Sequence, residues 1–279
     1  MQIKYFDRKD FWTPDSKFPA PEGWSRMGDG GLVGDHFRSV THVTKAKDVH
    51  ATTVDSINES YFEQCALASM LQEIVSPTLI FMELGAGWGG QSLSVTQMVR
   101  NGLAPAVHDT WCFGIEAEPG HFGFLGEAFF QNRINGMLLF GAMTEHVGWE
   151  KFYSQTPPAD NYGQSLRGSG NLRVPCYTVD YLVDTFNMRH VDVVHMDVQG
   201  EEPNTLRGAL DTMSAGAIDY MLVCPHFGTQ KAEIEEIVAP WFDVIVSIDA
   251  RAGYLEIPGF PKPVYHPQDG IVVCKRKGL

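Results

Sequence analysis

The chain has 279 residues, 44% hydrophobic and 20% charged, an ordinary balance for a globular protein built on one large α/β core. Its 21 Lys and Arg stand against 34 Asp and Glu, a net charge of −13. That balance lacks the clustered positive field that nucleic acid or an anionic membrane surface requires, so both are excluded as expected partners.

The N-terminus, from Met1 to Arg8, carries no apolar stretch of the signal-peptide kind, and no apolar run approaches the roughly 18–20 residues of a membrane span. Cys65, Cys112, Cys176, Cys224 and Cys274 are scattered, odd in number and lack metal-ligand spacing, which reads as reduced core thiols. A cytoplasmic location is the expectation. The first fifty residues mix aromatics with Pro and Gly; they read as an irregular arm anchored by Trp12, Phe18 and Trp24. Its anchorage can be the core, the substrate pocket or a second copy of the chain, and the last would make a homo-oligomer. Residues 56–75 have helical apolar spacing, and Ser76-Pro77 stops it. Residues 1–77 are thus an extension, and residues 78–279 the main domain.

From there strand and helix patterns alternate. Apolar runs predict strands at 78–84, 111–116, 137–140, 192–198, 218–224, 243–248 and 271–275, with helices at 89–101, 119–132, 178–187, 203–210 and 229–238. Such alternation implies a mostly parallel seven-stranded sheet covered on both faces, with a ligand site beyond the C-terminal strand ends. Residues 154–173 interrupt the rhythm with Pro157-Pro158, Gly163, Gly168 and Gly170, a loop long enough to serve a site.

The first strand ends in Glu83-Leu84-Gly85-Ala86-Gly87-Trp88-Gly89-Gly90. Glycines at such a turn let the backbone approach a ligand, and the helix start that follows presents free N–H groups. Gly85, Gly87 and Gly90 also satisfy the dinucleotide fingerprint. Two features favour S-adenosylmethionine over a dinucleotide: the acid Glu83 two residues before the first glycine, and Glu116 closing the second strand in Phe113-Gly114-Ile115-Glu116-Ala117-Glu118-Pro119.

The second half carries Thr178-Val179-Asp180, then Val194-His195-Met196-Asp197-Val198-Gln199-Gly200-Glu201-Glu202, then Leu206-Arg207-Gly208-Ala209. With Gly141-Ala142 and the loop from Asn161 to Ser165, these segments resemble the FkbM-type family of S-adenosylmethionine-dependent methyltransferases over about residues 78 to 275. The resemblance implies a Rossmann-like class I methyltransferase fold and S-adenosylmethionine as cofactor. It implies that Glu83, Gly85, Ala86 and Gly87 line the methionine and ribose moieties, Glu116 takes the ribose diol, and Ala142 and Met143 border the adenine. Gln91 or Ser92, at the helix start, would cap the cofactor carboxylate, with Asp197 at the fourth strand end beside it. Two positions depart from the family pattern: His195 stands for its usual Lys, and Gln199 for a Glu. An amide accepts hydrogen bonds but cannot act as a base.

A hydroxyl acceptor needs a base as well as alignment. The candidates are His226, in the loop after the fifth strand, then Asp197, then His195, placed with Asp197 on one strand face by alternation. Asp180, Asp197, Glu201 and Glu202 read as helix-start acids rather than a Mg²⁺ site, so no metal is expected. The expected activity is transfer of a methyl group to a hydroxyl of a sugar, glycosylated natural product or polyketide. An NAD(P)-dependent oxidoreductase and a catalytically silent assembly module are the alternatives.

Overall fold

The computed structural model describes residues 1–6, 24–26, 32–34, 57–154, 164–166, 170–266 and 268–279. Its main sheet is formed by β4 (Thr78–Leu84), β5 (Asp109–Glu116), β6 (Gly136–Phe140), β10 (Val191–Met196), β11 (Ile218–Val223), β12 (Phe242–Ile248) and β15 (Ile271–Arg276). The order is β12-β15-β11-β10-β4-β5-β6. Strand β15 runs antiparallel to both neighbours, β11 and β12, while the remaining pairs are parallel. All seven expected strands are present. The fourth ends at Met196, two residues short of its expected limit, which leaves Asp197 and Val198 in the turn beyond it.

Both faces are apolar because the sheet is covered on both sides. Leu79, Phe81, Cys112, Val193 and Leu222 point to one face; Leu67 of α1 (Glu59–Leu71), Leu93 of α2 (Gly90–Arg100) and Leu125 of α3 (Pro119–Asn132) close over it. The intervening residues Met82, Phe113, Val194, Met221 and Val223 point the other way. They meet Leu182 of α4 (Val179–Thr185), Leu206 of α5 (Glu202–Arg207), Met213 of α6 (Leu210–Ser214) and Ile234 of α7 (Gln230–Val238). Burying one such side chain contributes about 1.5–3 kcal/mol. Ile3 and Phe6 belong to the first of these clusters, so the start of the chain packs with the sheet.

The helix expected at 203–210 is two helices, broken at Gly208, where a Cβ would stand 2.5 Å from the Thr144 carbonyl oxygen. The expected 154–173 loop ends earlier, because β9 (Leu172–Tyr177) starts within it; with β7 (Ala142–Met143) and β8 (Gly148–Phe152), β9 forms a small sheet that flanks the loop. A second small sheet joins β3 (Ile57–Asn58), β13 (Gly253–Leu255) and β14 (Val264–His266), and β1 (Trp24–Arg26) pairs with β2 (Leu32–Gly34). Trp12 and Phe18 of the arm, and most of the 154–173 loop, lie outside the described residues. No helix among the described residues is long and apolar enough to cross a membrane.

At the opposite edge from the strand ends, His190 Nε2 lies 3.4 Å from Asp192 and 2.9 Å from Asp219, which Arg276 also engages. The hydrogen bonds to Asp192 and Asp219 raise the His190 pKa from 6.5 to about 9. A raised folded-state pKa means that the stabilising charge is fully present below pH 6.5 and lost as the pH rises through 9. The stability difference between the native chain and His190→Gln, read by urea denaturation, should therefore shrink across that window. A difference that stays constant would show that the imidazole is not titrating against these acids.

Candidate active site

The ends of β4, β5 and β10 are knitted together at the glycine turn. Gly85 and Ala86 N–H donate to the Ile115 carbonyl at 3.0 and 2.8 Å, and Asp197 N–H donates to Leu84 at 2.9 Å. Gly85 has φ +75, and a Cβ there would meet the Asp197 carbonyl oxygen at 1.8 Å. Glycine is required twice over, by conformation and by close approach.

Glu83 is buried behind this turn rather than lining a cleft. It accepts from Gln91 N–H at 3.0 Å and from Ser92 N–H at 2.9 Å, and the Ser92 hydroxyl donates to it as well. Burial raises its carboxyl to a pKa of about 7 against these donors. Gln91 also donates its side-chain amide to Glu63 at 2.9 Å. Glu83 thus fixes the start of α2, and Glu83, Gln91 and Ser92, all expected at the cofactor, do not line the cleft in front of the turn. Ala86 is likewise buried in the core.

In front of the turn lies a cleft at the C-terminal ends of the strands. Gly85, Gly87, Glu116, Ala142, Met143 and Asp197 line it, six of the residues expected at the cofactor. Glu116 Oε2 accepts from Gly87 N–H and Oε1 from Glu118 N–H, both at 2.7 Å, and burial raises its carboxyl to about 7. The apolar wall is Ala117, Phe152 and Leu166 together with Ala142 and Met143. Gln164 is a site residue that the sequence reading quoted only as part of a loop. It is 6% exposed, lines the cleft, and neither end of its amide has a hydrogen-bond partner among the described residues. A buried amide left unpaired is costly, so it fits a bound polar group. The cradle at Gly85, the strand-end acid and this unspent amide suit a nucleoside-bearing cofactor.

A second cavity adjoins the cleft, sharing Ser165 and Gln199 with it, and is lined further by His226, Phe227, Arg251 and Asp269. Gln199 holds φ +53 and donates its amide to Asp197 Oδ1 at 3.0 Å. His226 Nδ1 lies 3.0 Å from Glu202 Oε1, and its Nε2 lies 3.2 Å from Asp197 Oδ1 and 3.4 Å from Asp269 Oδ1. Burial works against a charged ring, but Asp197 and Glu202 outweigh it and raise the pKa to about 11. Ringed by these carboxylates, the imidazole is favoured in its protonated form, which works against the general-base role expected of it. Burial also pushes the Asp197 carboxyl up, yet the hydrogen bond and charge of His226 hold it below its ordinary value. His195 lines neither cavity. It is 4% exposed within β10, with Nδ1 unpartnered and Nε2 4.0 Å from Cys224 Sγ. Burial lowers its pKa to about 4, so it is a neutral histidine of the sheet interior. The strand ends between it and Asp197, so strand alternation does not carry the two onto one face, although they still interact electrostatically.

Of the four acids read as helix-start groups, Asp180 accepts from Thr212 and Asp211 N–H at the start of α6. Glu201 accepts from Asn204 Nδ2 at 2.7 Å and lines the cleft. Glu202 is turned to His226.

A parallel sheet with one antiparallel strand beside its edge, and a glycine cradle facing a strand-end acid, define a Rossmann-like S-adenosylmethionine-dependent methyltransferase. The methyltransferase FkbM domain matches residues 73–254, and the chain belongs to that family. This membership decides against the oxidoreductase reading of the three glycines. No curated protein matches the chain. Among solved structures, it is similar to a putative RNA methyltransferase from Pyrococcus horikoshii at 12% identity, covering 77% of this chain and 83% of that one, with a TM-score of 0.40. Aeropyrum pernix fibrillarin, with natively bound S-adenosyl-L-methionine, is 11% identical over 78% of this chain and 74% of its own, with a TM-score of 0.39. Likeness at this level carries nothing about substrate.

Proposed function

We propose that the chain methylates a hydroxyl oxygen of a small molecule, of the sugar, glycosylated natural product or polyketide kind. The observation that carries this reading is the pairing of the cofactor cleft with a second, polar cavity through Ser165 and Gln199. When bound, S-adenosylmethionine would supply a methyl carbon made electrophilic by its sulfonium.

The residues have two tasks, alignment and proton management. Glu116 and Gln164 would hold the nucleoside end, and Ala142, Met143 and Phe152 its flat face. Fixing the reactants can supply about 7–11 kcal/mol of the barrier. At the other cavity, Asp197 and Asp269 offer carboxylate oxygens to acceptor hydroxyls, and the His226 ring orients both. Phe227 presents an aromatic face of the kind that packs on a sugar ring. The net charge of −13 supports a small acceptor rather than a nucleic acid.

Incubating the full chain with methyl-labelled cofactor and extracts, and locating the label by mass spectrometry, tests this. Label on a hydroxyl oxygen of a small molecule is expected. Label on nitrogen, carbon or a nucleic acid would overturn the acceptor class.

A further inference from the structure

Asp197 and Asp269 both face the Nε2 of His226. His226 Nδ1 faces Glu202 Oε1 at 3.0 Å, which leaves Nε2 directed at Asp197 Oδ1 (3.2 Å) and Asp269 Oδ1 (3.4 Å). The end of the Gln199 amide stands 2.7 Å from the same nitrogen. Ligands bound cis to one divalent ion at about 2.1–2.3 Å lie roughly 3.0–3.3 Å apart, and tetrahedral ligands at about 2.0–2.1 Å lie roughly 3.3–3.4 Å apart. The separations of Asp197 and Asp269 from Nε2 fall within that spacing, while the Gln199 amide stands closer than it. A metal-binding histidine also donates its other ring N–H to a buried carboxylate, the place that Glu202 occupies.

Charge points the same way. Three carboxylates face one imidazole in a partly buried pocket, and among the described residues Arg251 is the single basic side chain lining the adjoining cavity apart from that ring. Glu202 is 0% exposed, and its Oε2 has no hydrogen-bond partner among the described residues. Its other oxygen accepts from the Val198 and Gly200 N–H groups and faces His226 Nδ1, which fixes the ring. The two ends of an amide have the same shape, so Gln199 can present Oε1 as a further ligand.

We propose that Asp197, Asp269 and His226, with Gln199 at their side and Glu202 behind the ring, bind a divalent first-row cation at the mouth of the acceptor cavity. One imidazole with two carboxylates suits Mn²⁺ or Zn²⁺ better than Ca²⁺. This replaces the sequence expectation of no metal, and it deepens the proposed function, on which its chemical role rests. An acceptor hydroxyl on such a cation loses its proton to solvent more readily, so the ring, neutral once Nε2 is given to the cation, need not accept that proton.

The test titrates the chelator-treated full chain with Mn²⁺, reading free ion by electron paramagnetic resonance, beside calorimetry of S-adenosylmethionine binding. One saturable site is expected. Asp269→Asn and His226→Gln, on separate segments, should each weaken it at least ten-fold while thermal unfolding remains cooperative. Absence of a saturable site, or unchanged affinity in both variants, overturns the cation site. Should Mn²⁺ bind as described while the cofactor does not, the site stands and the methyltransferase reading falls; the reverse result removes the cation and leaves the enzyme.

Discussion

Gly85→Ala should cost more than about 4 kcal/mol of stability, the exceptional end of single substitutions, and abolish cofactor binding. Two effects add. The φ of +75 is a left-handed conformation that costs a residue with a Cβ about 1–2 kcal/mol. The Cβ would also lie 1.8 Å from the Asp197 carbonyl oxygen and 2.8 Å from its carbon, both backbone atoms that no rotamer change can move. Relief requires β4 and β10 to part at the turn where Asp197 N–H donates to Leu84. Gly85, Asp197 and Val198 all line the cleft, so the parting falls on the cofactor. Gly102→Ala is the control: its φ is +79, but nothing lies within 4 Å of the new Cβ, so only the conformational cost should appear. Denaturant midpoints for the two variants isolate the clash by difference. Equal losses would mean that the close approach is absent in solution.

The strength of the sequence reading lies where one stretch of chain decides the outcome. The run from Thr78 to Leu84 is apolar because it is buried on both faces, and Glu116 closes its strand where the apolar residues stop. The small sheet was harder to read. In β8 three successive residues of Gly148–Phe152 are exposed, so the apolar alternation is missing. Strand β9 contains Pro175, which argues against a central strand. It is tolerated because β7 pairs only with Cys176 and Tyr177, leaving the Pro175 nitrogen on an unpaired side.

Charge state was not legible at all. His226 meets Glu202, 24 residues earlier, and Asp269 from the far side of β12, and only their assembly moves the imidazole away from its ordinary titration. Glu83 shows the converse. Its position in the motif was plain, but that its two oxygens are taken by the start of α2 depends on where the helix begins in space.

Glu116 and Glu118 sit two residues apart and should separate binding from folding. Glu116 lines the cleft and Glu118 does not. Glu116→Ala removes the acid placed for the ribose hydroxyls and strips Gly87 N–H of its acceptor, so affinity for S-adenosylmethionine should fall by about 1.5–3 kcal/mol, a charged hydrogen bond's worth. Glu118 caps α3 instead: it accepts from His121 N–H at 2.7 Å and from the Ser154 hydroxyl at 2.9 Å. Glu118→Ala should therefore cost about 1 kcal/mol of fold stability, the usual loss of an N-cap, with cofactor affinity nearly intact. Calorimetry and denaturation on both variants read the two effects independently. If Glu118→Ala abolishes binding while Glu116→Ala leaves it unchanged, the acid that serves the cofactor lies two residues further on, and the cleft must be rebuilt around the start of α3.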